Sequence, residues 1–161
     1  MPTRRELKGL DGVAGVAAVA RVDGAVLARA REAAGLSQSA LAQRVGASSK
    51  QRIWHWERGA EQPQPRFVPE IARVLNVNPL ALLDGDPDHP TISALRLAAG
   101  LTCSDVWRQS SIAKTTYHRI DRGVGVRRTD PAIVSALARV LAAPESAILA
   151  AIERARNRPG A

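Results

Sequence analysis

The chain repeats itself. Sliding the sequence along itself by about 65 residues aligns "REAAGLSQSALAQ" (31–43) with "RLAAGLTCSDVWR" (96–108), "WERG" (56–59) with "IDRG" (120–123), and "IARVL" (71–75) with "LARVL" (137–141). Similarity over nearly a full period means that one unit is built twice. Each unit must then close a core with about 60 residues, near the lower limit for a domain without metals or disulfides. Charge divides in the same way: residues 24–83 and residues 91–149 each hold eight Arg/Lys and four Asp/Glu. Between them "DGDPDHP" (84–90) gathers aspartates, prolines and a glycine, which stop helices and read as a linker. The expected organisation is an N-terminal basic arm and short helix (1–23), a first domain (24–83), a linker (84–90), and a second domain with a C-terminal helix extension (91–161).

Chemistry outside the core is sparse. Cys103 is the one cysteine, so no intrachain disulfide forms, and no Cys/His spacing resembles a zinc site. A reducing cytoplasm is the expected location. Arg4, Arg5 and Lys8 ahead of "GVAGVAAVA" have the layout of an export signal, but Asp11 and the lack of leucine in the run favour a basic arm followed by a short Ala/Val helix. No apolar run reaches the 18 or more residues of a membrane span.

Within the first copy, apolar residues at 27, 30, 33 and 34 follow helical spacing and stop at Gly35. Ser37 is placed to cap a second helix with its stripe at Leu41, Ala42 and Val45, ended by Gly46. A third starts near Ser48 or Ser49, turns Ile53 and Trp56 inward, and ends at Gly59; two more are expected at 66–75 and 79–83. Short connections and no strand alternation make the chain all-α: two tandem five-helix units. In each, helices two and three form a helix-turn-helix, an arrangement in which one helix carries another, exposed, into a DNA major groove. The net charge of +8 and pI of about 11.1 suit such a polyanionic partner.

The first copy resembles the phage repressor/Cro (xenobiotic-response-element) helix-turn-helix family through "GLSQSALAQRVG", "WERG" and "QPRFVPEIARVL"; the second resembles it more loosely through "AAGLT", "YHRIDRG" and "LARVL". The resemblance implies that Arg31 pairs with Glu57, and Arg96 with Asp121, as structural ion pairs. Glu57 lies beside core positions on its helix and would be costly there unpaired. The first copy has one residue more than the family spacing, so "GASSK" is expected to hold a longer turn. The second replaces the family's Gln with Cys103, a small residue with Trp107 and the turn glycine with Ser111.

By helical register, base contacts are expected from Lys50, Gln51 and His55 in the first copy and Lys114, Thr115 and Arg119 in the second, with Arg52 and Trp54 also touching the groove. Phosphate contacts are expected from Gln38, Ser49, Arg66, Arg122, Arg127 and Arg128, and a minor-groove arm from Arg4, Arg5 and Lys8. Enzymatic motifs are missing: there is no H-E-x-x-H and no G-x-S-x-G, and "SIAKTT" lacks the glycines of a phosphate-cradling loop. No cofactor, metal, small-molecule ligand or membrane partner is expected. The function read from sequence is a double-stranded DNA-binding transcriptional regulator, a repressor, which as a monomer reads an asymmetric two-part site. The alternative is a homodimeric repressor in which only the first domain reads DNA and the second, altered by Trp107, binds protein.

Overall fold

The computed structural model describes residues 19–124 and 130–157. The chain is all-helical, as expected; among the described residues the extended pairing is a single antiparallel bridge, Val22 to Leu83. The N-terminal half comprises α1 (Gly24–Ala33), α2 (Gln38–Val45), α3 (Lys50–Glu57), α4 (Phe67–Leu75) and a 3-10 turn (Pro79–Leu82). The C-terminal half follows with α5 (Ile92–Ala98), α6 (Cys103–Ser110), α7 (Lys114–Asp121), α8 (Pro131–Val140) and α9 (Glu145–Arg156).

Local chemistry sets the helix bounds. Asp23 Oδ1 accepts from the backbone N–H of Ala25 and Val26, at 2.9 and 3.1 Å, and starts α1. Ser37 Oγ accepts from Ala40 N–H at 3.1 Å and starts α2, which Gly46 ends at φ 71°, a conformation glycine adopts without Cβ strain. The turn that follows spans four residues, 46–49, against three, 111–113, between α6 and α7. The fifth expected helix is instead the 3-10 turn. Pro79 and the Asn78 cap nucleate it, but the chain runs at once into the Asp/Pro-rich segment, whereas Ile148, Ala151 and Ile152 carry the apolar stripe that sustains α9 over 12 residues.

Two apolar clusters form. Leu27, Leu41, Ile53, Trp56, Val68, Ile71 and Leu82 are fully enclosed in the first, and Val106, Tyr117, Leu137, Ile148 and Ile152 in the second. Each such side chain contributes on the order of 1.5–3 kcal/mol of burial free energy.

The halves meet at a seam. Ala94 of α5 is buried in the first cluster, Leu97 packs against it, and Leu80 of the 3-10 turn touches both clusters. Residues 19–23, assigned on sequence to the arm, are pinned to the folded body, and Ala20 reaches across this seam. Arg21 N–H donates to Asp84 Oδ1 (2.7 Å), Val22 N–H to Gln62 Oε1 (2.8 Å) and Ala20 N–H to Ser93 Oγ (3.0 Å). Residues 84–90 are a folded turn: Asp86 accepts from Asp88 N–H at 2.9 Å and pairs with His89 Nδ1 at 2.7 Å, which lowers the Asp86 pKa through the His89 hydrogen bond first and Asp88 second. Arg154 Nη2 donates to Pro90 O at 2.7 Å and closes the turn against α9.

Candidate nucleic-acid interface

In both halves an arginine of the first helix holds the carboxylate that ends the third. Arg31 Nε and Nη2 donate to the two Glu57 oxygens, the latter at 3.2 Å, while Nη1 donates to Leu36 O at 2.8 Å. Arg96 repeats the pattern: Nε and Nη2 reach the Asp121 oxygens at 2.9 and 3.2 Å, and Nη1 reaches Leu101 O at 3.1 Å. These pairs are enclosed, with side-chain exposures of 11% and 8% in the first and 6% and 4% in the second. The Glu57 hydrogen bond holds the Arg31 pKa above its ordinary value despite burial. For Arg96, desolvation works hardest against the charge, yet the Asp121 hydrogen bond and field outweigh it and the pKa is again raised.

Further donors differ between the halves. Gln38 Nε2 donates to Glu57 Oε2 at 2.7 Å, so the residue expected at a phosphate is joined to the lock. Around Asp121 the partners are Tyr117 OH at 3.0 Å and Cys103 Sγ at 3.5 Å. Close backbone approach completes the first lock. A Cβ on Gly24 would sit 2.3 Å from Glu57 O and 2.5 Å from Trp56 O, so only glycine lets α1 start against the end of α3.

With Ile53 and Trp56 buried and Glu57 held, the opposite face of α3 is turned outward. Lys50, Gln51, Trp54 and Arg58 are its exposed residues, and Trp54 keeps 42% of its surface accessible. Arg58, not foreseen in the sequence, stacks over the Trp54 ring with its guanidinium carbon 4.9 Å from the centroid, as i, i+4 spacing allows. His55 is half-buried and meets Trp54 edge-on at 4.9 Å, so the face centres on Trp54 and not on His55. Arg52, expected at the groove, is half-buried and lies over Trp56 at 5.8 Å, with its Nε enclosed without a hydrogen-bond partner.

On α7, Tyr117 and Ile120 are buried, while Lys114, Thr115, Arg119 and Arg122 are exposed and His118 is half-buried. Neither α3 nor α7 begins with a side-chain cap bond: Ser49 makes none and Ala113 has no group to make one. Their first backbone N–H groups are therefore left for water or an anion. Arg66, before α4, is exposed, donates to Gln64 Oε1 at 3.1 Å and covers Phe67. Arg4, Arg5, Lys8, Arg127 and Arg128 lie outside the described residues. Trp107, the basis of the protein-binding alternative, is half-buried against the second cluster with Arg108 stacked over it at 5.2 Å.

Residues 24–84 match the family model of a helix-turn-helix domain. No curated protein and no solved structure matches the chain significantly. The matched segment coincides with α1 to the 3-10 turn, and α2–α3 is its helix-turn-helix. That domain supports a DNA-binding transcription regulator with double-stranded DNA as its partner. Among the described residues no single helix is long and apolar enough to cross a membrane.

Proposed function

We propose that the chain is a repressor-type transcription regulator in which one polypeptide carries two tandem helix-turn-helix domains and reads the two unlike halves of an asymmetric DNA site. The observation that carries this reading is the recurrence of the buried arginine–carboxylate lock, which in each half turns a basic face outward from the third helix. Base contacts come from Lys50, Gln51 and Trp54 on α3 and from Lys114, Thr115 and Arg119 on α7. Gln suits adenine, while Lys and Arg suit guanine or phosphate. An apolar ring such as that of Trp54 suits a thymine methyl. Arg58, Arg66 and Arg122, with the uncapped helix starts, serve phosphates.

Unlike side chains on α3 and α7 ask for unlike half-sites, so a monomer needs no palindrome. Selection of bound duplexes from random DNA, with the hydrodynamic mass of the complex, tests this. One chain on a two-part, non-palindromic site is the expected result, with affinity falling steeply with salt, by a log–log slope of about 6 when that many phosphates are engaged. Two chains on a palindrome read only by α3 would replace the reading with the dimeric alternative.

A further inference from the structure

The seam between the halves has a one-sided chemistry. On α5 it uses Ala94 and Leu97; the aligned positions on α1 are Arg29 and Glu32, both exposed. Across the seam stand Pro69 of α4 and Leu80 of the 3-10 turn; their aligned positions are Ser135 and Ser146, again exposed. Gly100, which ends α5 at φ 74°, comes so close that a Cβ there would lie 2.9 Å from Pro69 Cγ. Thus the back of the N-terminal half and the front of the C-terminal half are apolar and matched, while the two outer ends are polar. Packing of this kind forms once and does not propagate. The strap at 19–22 crosses the same seam through Ala20 to Ser93.

We infer that this seam is a spacer that fixes α3 and α7 relative to one another, so that the protein accepts a single separation between its two half-sites. The inference rests on the two-part reading proposed above. The physical reason is helical geometry: one inserted base pair moves the second half-site by about 3.4 Å and rotates it by about 34°. A seven-residue tether would absorb that change, but a body held together by buried apolar contacts and a pinned strap cannot follow it without opening.

The test measures affinity for the selected duplex and for versions with one to three base pairs inserted between the halves. Full-length protein is compared with Leu97→Glu and Ala94→Arg, which place on α5 the charges that α1 already carries, and with a four-residue Gly/Ser insertion at Asp88 in the exposed turn. Leu97 is only half-buried, so its variant preserves the test if the Ala94 variant fails to fold. The full-length protein is expected to lose about tenfold or more per insertion, the seam variants less than about threefold, and the loop insertion to behave like the parent. Tolerance of insertions by the parent, strictness in the seam variants, or relaxation by the loop insertion alone would each overturn the spacer. Parent binding that ignores deletion of the second half-site would instead overturn the two-part reading.

Discussion

The two locks do the same mechanical work with different residues. Glu57 reaches Arg31 with the longer acidic side chain, beside Ile53 and with Gln38 as an extra donor. Asp121 is one methylene shorter, and Tyr117, aligned with Ile53, supplies a hydroxyl that helps satisfy the same carboxylate, with the Cys103 thiol where Gln38 stands in the N-terminal half. What persists between the halves is the geometric requirement that a buried carboxylate at the end of the third helix be fully satisfied. The identity of the donors is free to drift. The outer faces drift further: α3 is centred on Trp54, whereas on α7 the residue aligned with it, His118, is half-buried and Arg119 stands out.

The largest expected effect comes from breaking either lock. Glu57→Ala leaves enclosed Arg31 with Leu36 O and only the exposed Glu32 carboxylate, 3.5 Å away, and should cost about 3 kcal/mol; Asp121→Ala strands Arg96 and also removes the acceptor of Tyr117 and Cys103, and should cost more, within about 3–5 kcal/mol. Tryptophan fluorescence separates the halves in a Trp107→Phe background, which leaves Trp54 and Trp56, and in a Trp54→Phe/Trp56→Phe background, which leaves Trp107. An Asp121→Ala protein whose Trp107 signal melts at the parent temperature would mean that the second lock carries no stability.

Much of this was legible in the sequence where the cause is local. Ser37, Gly35 and Gly46 bound helices through their own backbone chemistry, and the partners in the locks were legible because the family resemblance implies them, with a charge recurring beside core positions in both halves. Features that depend on distant partners were not legible. Nothing near residues 19–22 announces Ser93 or Gln62 as partners, and nothing in "PLALL" separates a 3-10 turn from a helix before the turn that follows is known. The half-burial of His55 and Arg52 could not be read from register, because helical spacing gives the direction of a side chain but not which neighbour covers it. Arg58 was detectable from its i, i+4 spacing to Trp54. The second lock's use of Tyr117 was also within reach, since a buried tyrosine at the position aligned with apolar Ile53 needs a hydroxyl partner.

A middle-sized effect probes the outer faces. On the proposed two-part reading, Trp54→Ala should relax sequence preference in the half of the site read by α3, and the aligned His118→Ala should change little in the other half. Arg119→Ala should do to the second half what Trp54→Ala does to the first. Arg66→Ala, by contrast, should weaken all sequences alike and reduce the salt slope by about 1. Selection on each variant checks the pattern. Equal losses from Trp54→Ala and His118→Ala would restore a common register for the two helices and remove the difference drawn between their faces.

The smallest effect separates the locks by pH. Burial, and after it the Asp121 charge, raises the pKa of both Tyr117 and Cys103, whereas the Arg31–Glu57 lock holds neither residue type. Because both groups are neutral when protonated and their folded-state pKa values are raised, the stability they contribute is fully present below the unfolded-state values, about 8.5 for cysteine and 10 for tyrosine. Above those values the unfolded chain sheds its protons first and stability falls, until the folded-state values are passed. At pH 9 the loss can be no more than about 1 kcal/mol, nearly all from cysteine, and solvent access at half-buried Cys103 reduces it further. The Trp107 transition should therefore move to lower temperature between pH 7.5 and pH 9 by more than the Trp54/Trp56 transition, which the seam couples to it, and Cys103→Ser should abolish most of the shift. Slow alkylation of Cys103 by iodoacetamide at pH 7.5 in the folded protein, and fast alkylation in denaturant, checks the same protonation from the side of the thiol. Parallel movement of both tryptophan transitions would assign the alkaline loss to the whole molecule and remove this distinction between the locks.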